Sequence, residues 1–182
     1  VGDRQAPEPL LLVQELVNTL DIETGKDQLA TPEGLARFVS DHGLTRFRLG
    51  KPDLAGLREL REALRAACLA HTSGAPASPE AAETLERHLG AAPLALRIEA
   101  GGEAALEAAP GLTGLPALTA HLAARIAIAA GDGSWQRLKA CETHDCQWVY
   151  YDRSPAGRSR WCTMSVCGSR AKMRTYRARR AR

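Results

Sequence analysis

No stretch of the 182-residue sequence approaches the roughly 20 consecutive apolar residues that a membrane-spanning helix requires. The strongest run, "LLLVQELVNTL", is broken by Gln14 and Glu15. The chain also shows no basic start with the small-residue cleavage site of a secretory leader. These absences argue against a membrane protein and lead to the expectation of a cytoplasmic one. There is no Gly-rich phosphate loop, no HExxH zinc-protease signature and no pair of carboxylates at catalytic spacing. His42, His71, His88 and His121 have no neighbours at ligand or triad spacing, so each reads as a surface or capping histidine. Internal repeats and low-complexity tracts are lacking as well. What remains is globular in composition, and nothing in it points to an enzyme.

Most of the chain reads as helix. Leu12, Val13, Leu16, Val17 and Leu20 recur at three- and four-residue spacing and form one apolar face. Thr31 followed by Pro32, and Ser78 followed by Pro79, are start signals for two further helices, with Gly43 and Gly90 as their stops. Between them Leu54, Leu57, Leu60, Leu64 and Cys68 make a long stripe, on which Cys68 is expected to be a buried, inert thiol. Weak alternation around Gly101-Gly102 suits a hairpin. A last helix is expected over Pro116 to Ala130, with Leu118, Leu122, Ile126 and Ala129 inward. "GDGS" (Gly131 to Ser134) then divides a helical domain, residues 1–133, from a small module, residues 134–182.

Charge is divided at nearly the same place. From Arg137 onward there are 12 Lys and Arg against 3 Asp and Glu, whereas the preceding residues carry 12 basic against 18 acidic groups. Arginine outnumbers lysine 20 to 4 across the chain, as a GC-rich coding bias would produce, but such a bias does not concentrate arginine at one end. A basic end on an acidic body is suited to meeting a polyanion.

Four of the five cysteines fall in the same module, as Cys141-x4-Cys146-x15-Cys162-x4-Cys167. Disulfides suit secreted chains. Four thiolates can also hold an iron–sulfur cluster. Zinc accounts best for two symmetric pairs flanking an aromatic segment, because a d10 ion takes four thiolates tetrahedrally. His144 is a further imidazole in the first spacer, read as a loop residue. The stretches "QWVYYDR" and "RSRW" are expected to pair as a hairpin through a type I turn at Ser154-Pro155-Ala156-Gly157. Trp148 and Tyr150 would then project from one face, Val149 and Tyr151 from the other. A closed four-thiolate site leaves no open position for water or substrate, so the metal is read as structural, one Zn2+ per chain. After Cys167 the chain is expected to be helical. Arg170, Arg174 and Arg177 would share one face, and Met173 and Tyr176 could dock the helix on the hairpin. Lys172, Arg179 and Arg182 would point elsewhere, and Arg180 would join the strip beside Met173 and Tyr176.

The module resembles the CGNR zinc finger. Cys141, Cys146, Trp148, Asp152, Ser154, Arg160, Trp161, Cys162, Met164, Cys167, Gly168, Arg170 and Lys172 match that family's pattern, with Ser169 standing where the family has Asn. "ELVNTLD", "LATPEGLARFVSDHGL" and "LRELREALRA" are similar to the ABATE-type domain that precedes this finger in bacterial proteins described as stress-induced transcription regulators. The two resemblances together imply a mainly α chain. A helical domain would precede a treble-clef-like four-cysteine finger, itself a β-hairpin plus a C-terminal helix. They also imply a DNA-binding regulator, with DNA favoured over RNA. Arg170, Lys172, Arg174, Arg177, Arg179 and Arg180 would touch the nucleic acid, and a homodimer would let two fingers act together. The competing reading is a zinc-stabilised protein-interaction module, or an RNA binder stacking bases on Trp148, Tyr150 and Tyr151.

Overall fold

The computed structural model describes residues 4–180; Arg182, assigned above to a separate face of the last helix, lies outside them. The elements run α1 (Leu11–Val17), β1 (Leu20–Asp21), β2 (Lys26–Asp27), α2 (Pro32–Asp41), α3 (Leu54–Ser73), α4 (Pro79–Gly90), β3 (Leu94–Ile98), β4 (Ala104–Ala108), α5 (Gly114–Gly131), β5 (Leu138–Ala140), β6 (Val149–Tyr151) and α6 (Ser169–Arg180). The strands form three separate antiparallel pairs, β1–β2, β3–β4 and β5–β6. The architecture is mainly α with small hairpins, as the sequence implies.

Helix starts follow their capping chemistry. Thr31 Oγ1 accepts from Gly34 N–H at 3.2 Å and Ser78 Oγ from Ala81 N–H at 3.2 Å, each ahead of a proline in the first turn. The α3 stripe Leu54, Leu57, Leu60, Leu64 and Cys68 is buried throughout, and burial pushes the Cys68 thiol up to about 12. By length and mean composition alone helix α5 could cross a bilayer, although Thr119, His121 and Arg125 break its run of consecutive apolar residues. Here Leu118, Leu122 and Ala129 bury it in the core, with Ile126 packed against that core. Arg61 and Arg65 on α3 are also buried. Arg61 holds Asp27 through two bonds, of 2.6 and 3.1 Å, and Glu62 pairs with both guanidinium groups. Buried arginines need such partners to offset their lost hydration.

The helical core does not end at residue 133. Leu138, Ala140, Val149 and Tyr151 belong to the same buried cluster as Leu16, Val17, Leu60, Leu64 and Cys68. The β5–β6 pair matches Leu138 with Tyr151, Lys139 with Tyr150 and Ala140 with Val149. Its side chains therefore alternate between two cores. One face enters the helical domain, and on the other Tyr150 packs in a second cluster with Cys141, Cys146 and Cys167, flanked by Trp148, Trp161 and Cys162. The expected separation of Trp148/Tyr150 from Val149/Tyr151 holds, and each pair has its own destination.

The partner of β6 is different from the one expected. "RSRW" is not a strand; β6 pairs instead with β5, which precedes the first cysteine. Leu138 and Ala140 extend the apolar face of Val149 and Tyr151, and "RSRW" has no matching apolar pair. It keeps one backbone link, Glu142 N–H to Arg160 C=O at 2.9 Å, beside a Glu142–Arg160 ion pair. The Ser154–Gly157 turn does form, with Gly157 N–H donating to Ser154 C=O at 3.1 Å and Gly157 at φ +59°.

Candidate metal centre and basic helix

The hairpin β5–β6 carries the first cysteine pair in its own loop. Cys141 N–H donates to Trp148 C=O at 3.0 Å and continues the ladder by one pair. Thr143 C=O then accepts from both Cys146 N–H (2.9 Å) and Gln147 N–H (3.1 Å), which turns the chain so that both thiols point inward. The second pair brackets a wide turn, Met164–Gly168, where Gly168 N–H reaches back to Thr163 C=O at 3.0 Å. Ser169, at the start of α6, donates its hydroxyl to Met164 C=O at 3.2 Å. Serine therefore serves this helix start with a hydrogen bond of its own.

All four sulfurs lie within 4.8 Å of one another. Cys146 and Cys162 Sγ are 3.7 Å apart, and Cys162 and Cys167 Sγ 3.6 Å. A tetrahedron with metal–sulfur bonds of about 2.3 Å has edges of about 3.8 Å, so the arrangement fits a four-thiolate ion site. All five cysteines of the chain are free thiols. Hydrogen bonds from Cys146 and Cys162 hold the Cys141 thiol below its ordinary value. Hydrogen bonding to Cys141, and secondarily its charge, pushes Cys146 and Cys162 up in turn. Four thiols this close cannot all ionise without a cation among them. His144 stands apart, 95% exposed and 2.9 Å from Asp145.

Asp152 organises the loop between the pairs. Its carboxylate is fully buried and accepts from Ser154 N–H (3.0 Å) and Ser159 N–H (2.8 Å), with Lys139 Nζ at 3.2 Å. Burial alone would raise its pKa, but the bonds from Ser154 and Ser159 outweigh that and hold the group well below the usual carboxylate range.

Both outer edges of β5–β6 are completed by side chains of the helical domain. On β6, Asn18 donates to Val149 C=O and accepts from Val149 N–H, both at 2.8 Å, imitating a neighbouring strand. Gln14 adds a second donor to the same carbonyl at 3.1 Å. On β5, His71 Nδ1 lies 2.8 Å from Leu138 C=O, and Thr72 donates to Ala140 C=O at 2.7 Å. Arg65 spans the junction, donating to Val17 (2.7 Å), Leu20 (3.2 Å) and Gln147 (3.0 Å) carbonyls. Reading the sequence missed all of these. The available signal was Arg61 and Arg65, charged residues four apart beside the apolar stripe of α3.

Helix α6 contrasts with this embedding. Arg170, Lys172, Arg174, Arg177, Arg179 and Arg180 are all exposed. Arg170, Arg174 and Arg177 border one shallow surface with Met173, and Lys172 and Arg179 border another with Tyr176 and Trp161. Arg170 pairs with Glu23 at 2.7 Å, and Arg180 lies over the Tyr176 ring at 5.7 Å. Among the described residues, no carboxylate pairs with Lys172, Arg174, Arg177, Arg179 or Arg180. Met173 and Tyr176 do not dock the helix on the hairpin: they are 51% and 53% exposed, because Trp148 and Trp161 already cover the sulfur cluster.

Comparison with known families finds two matches along the chain. The CGNR zinc finger profile matches residues 137–180. The ABATE profile, described as "Putative stress-induced transcription regulator", matches residues 11–133. No curated protein matches the chain significantly. The chain belongs to the ABATE family and carries a CGNR zinc finger at its C-terminal side.

Proposed function

We propose that this ABATE-family chain is a DNA-binding transcription regulator. One structural Zn2+, held by Cys141, Cys146, Cys162 and Cys167, would fix the start of α6 and so aim its arginines at the nucleic acid. A zinc ion in a four-thiolate set supplies a cross-link and leaves no position for substrate, which supports a role in binding and not in catalysis. The observation that carries the reading is the exposed cationic helix itself, rooted at Cys167 in the sulfur cluster, with five basic side chains that form no ion pair with a carboxylate among the described residues. Phosphate contacts from Arg174, Arg177, Lys172 and Arg179 on two faces of one helix suit a helix lying in a duplex groove. Duplex DNA is favoured over a single strand because Trp148, Tyr150 and Tyr151 face the two cores and cannot stack on unpaired bases, while the exposed Tyr176 ring is covered on one side by Arg180.

The test is fluorescence anisotropy of zinc-loaded protein on mixed-sequence duplex DNA and on a structured RNA, over a range of salt. Duplex binding should weaken steeply with salt, and Arg170/Arg174/Arg177→Ala should lower the slope by about 2, one each for Arg174 and Arg177, since Arg170 is held by Glu23. Absence of binding to both at low salt removes the reading. Exposed Met164, Val166, Met173 and Tyr176 around the same arginines favour a second reading, an acidic protein partner with apolar anchors. That would show as salt-tolerant capture of protein and not DNA.

A further inference from the structure

The β3–β4 hairpin has an apolar face and an open edge, and neither is used by the finger. Its register pairs Leu94 with Ala108, Leu96 with Leu106 and Ile98 with Ala104 on one face. The opposite face carries Arg97 and Glu107, joined at 2.8 Å. Leu96 and Ile98 are 66% and 67% exposed, more than any other large hydrophobic residue described. Glu99 N–H donates to Glu103 C=O and Ala109 N–H to Pro93 C=O, both at 2.9 Å. The odd-numbered residues of β3 therefore bond to β4, and Leu94, Leu96 and Ile98 turn their backbone groups outward. Among the described residues, no backbone or side-chain hydrogen bond from outside the hairpin reaches those three. Helix α5 packs more closely along β4 than along β3, so β3 is the open side.

The outward-turned residues Leu94, Leu96 and Ile98 carry no charge, proline or bulge, and the one charge of the strand, Arg97, is paired to Glu107, so little keeps this edge from pairing. We propose that this edge joins a second copy of the chain, β3 against β3 in antiparallel fashion about a two-fold axis at Leu96. That register places Leu96 opposite its own copy and Leu94 opposite Ile98, and it pairs every residue of the strand. It sets Arg97 opposite Ala95, whereas an axis at Arg97 would oppose like charges. An axis at Ile98 would run the strand into the turn residues Ala100 and Gly101. The self-complementary pattern Leu-Ala-Leu-Arg-Ile is what selects a second copy as the occupant. The Arg97–Glu107 pairs remain on the far face, and the two apolar faces merge into one across four strands. This assembly would stand whether or not α6 binds nucleic acid, because it uses no residue of the finger.

Sedimentation of the zinc-loaded chain across a concentration series should show a dimer, and Leu96→Lys/Ile98→Lys should give a monomer with unchanged far-UV dichroism. The register is tested by cross-linking under mild oxidation. In a hydrogen-bonded antiparallel pair the facing Cα atoms lie about 5.5 Å apart, within disulfide reach. Leu96→Cys should therefore cross-link at least about tenfold faster than Ile98→Cys, whose counterpart thiol is displaced along the strand. A wild-type chain that stays monomeric at all concentrations overturns the proposal. So does a dimer that survives the lysine variant, or one in which Ile98→Cys cross-links as fast as Leu96→Cys. Should the lysine variant lose its fold, the cysteine pair alone decides.

Discussion

The two cysteine pairs sit in unlike surroundings. Cys141 and Cys146 are carried by a hairpin whose apolar face lies in the helical core and whose edges are finished by Asn18, His71 and Thr72. Cys162 and Cys167 lead into an exposed helix whose ion pair to the helical domain is Arg170 to Glu23. The first half of the finger is an extension of the domain; the chain is then tied to the hairpin by hydrogen bonds as far as Arg160, and beyond it mainly through sulfur. The metal therefore has different tasks on its two sides. Leu138, Val149 and Tyr151 are each worth about 2 kcal/mol of burial without any ion, whereas α6 has no comparable apolar anchor, its Met173 and Tyr176 being exposed.

Metal removal should break the comparison open most widely. With a chelator, limited proteolysis should cut rapidly beyond Trp161, within residues 162–180, while β5–β6 and the helical domain stay protected. Cuts appearing equally early between Leu138 and Tyr151 would show that the hairpin depends on the metal as much as α6 does. Next in size is Arg65→Met, which strips donors from the Val17, Leu20 and Gln147 carbonyls at once. The loss should be about 3 kcal/mol in urea unfolding, with the helical domain and the hairpin melting together. A loss below about 0.5 kcal/mol would mean that water replaces the guanidinium and that the junction is not a shared core. Asn18→Ala should cost less, about 1–2 kcal/mol, since Gln14 retains one bond to Val149 while its N–H is left unmatched. Hydrogen exchange at Val149 reads that directly: wild-type protection there should fall in the variant.

These contacts also separate what could be read from the chain from what could not. Thr31-Pro32, Ser78-Pro79 and the α3 stripe are local signals, and capping and periodicity act over a few residues, so the helices were legible. The four cysteines and the Trp148–Tyr151 alternation were legible for the same reason. The partner of β6 was not: "LKA" and "RSRW" both flank the cysteine segment, and the choice between them depends on a core built by α1 and α3. The edge caps were equally hidden. Asn18 meets Val149 across 131 positions, and a polar residue that completes a strand looks, in sequence, like one that faces water. The expectation that Met173 and Tyr176 dock on the hairpin failed because the two tryptophans already fill that position.

The smallest effect should come from pH, at the other edge of the hairpin. His71 donates from Nδ1 to Leu138 C=O, with Trp135 edge-on at 4.9 Å. Burial holds its pKa below the usual histidine value, against the opposing pull of the Leu138 hydrogen bond, which favours the charged ring. Protonation is therefore harder in the folded chain than in the unfolded one. As pH falls below about 6.5 the unfolded chain takes up a proton first, so stability declines with acid; the contribution is complete above that value and is lost toward the depressed one. His88 and His121 are lowered too, the latter to about 4, and the cysteines release metal in acid, so the wild-type slope alone cannot assign the effect. The difference between wild type and His71→Asn can, because the Asn amide nitrogen takes the place of Nδ1 as a donor for Leu138 and cannot titrate. Urea midpoints at pH 7.5 and 5.5 should fall further in wild type than in the variant. Equal falls would place the acid sensitivity elsewhere, and the two edges of the hairpin would then differ in kind, with a titrating cap on neither.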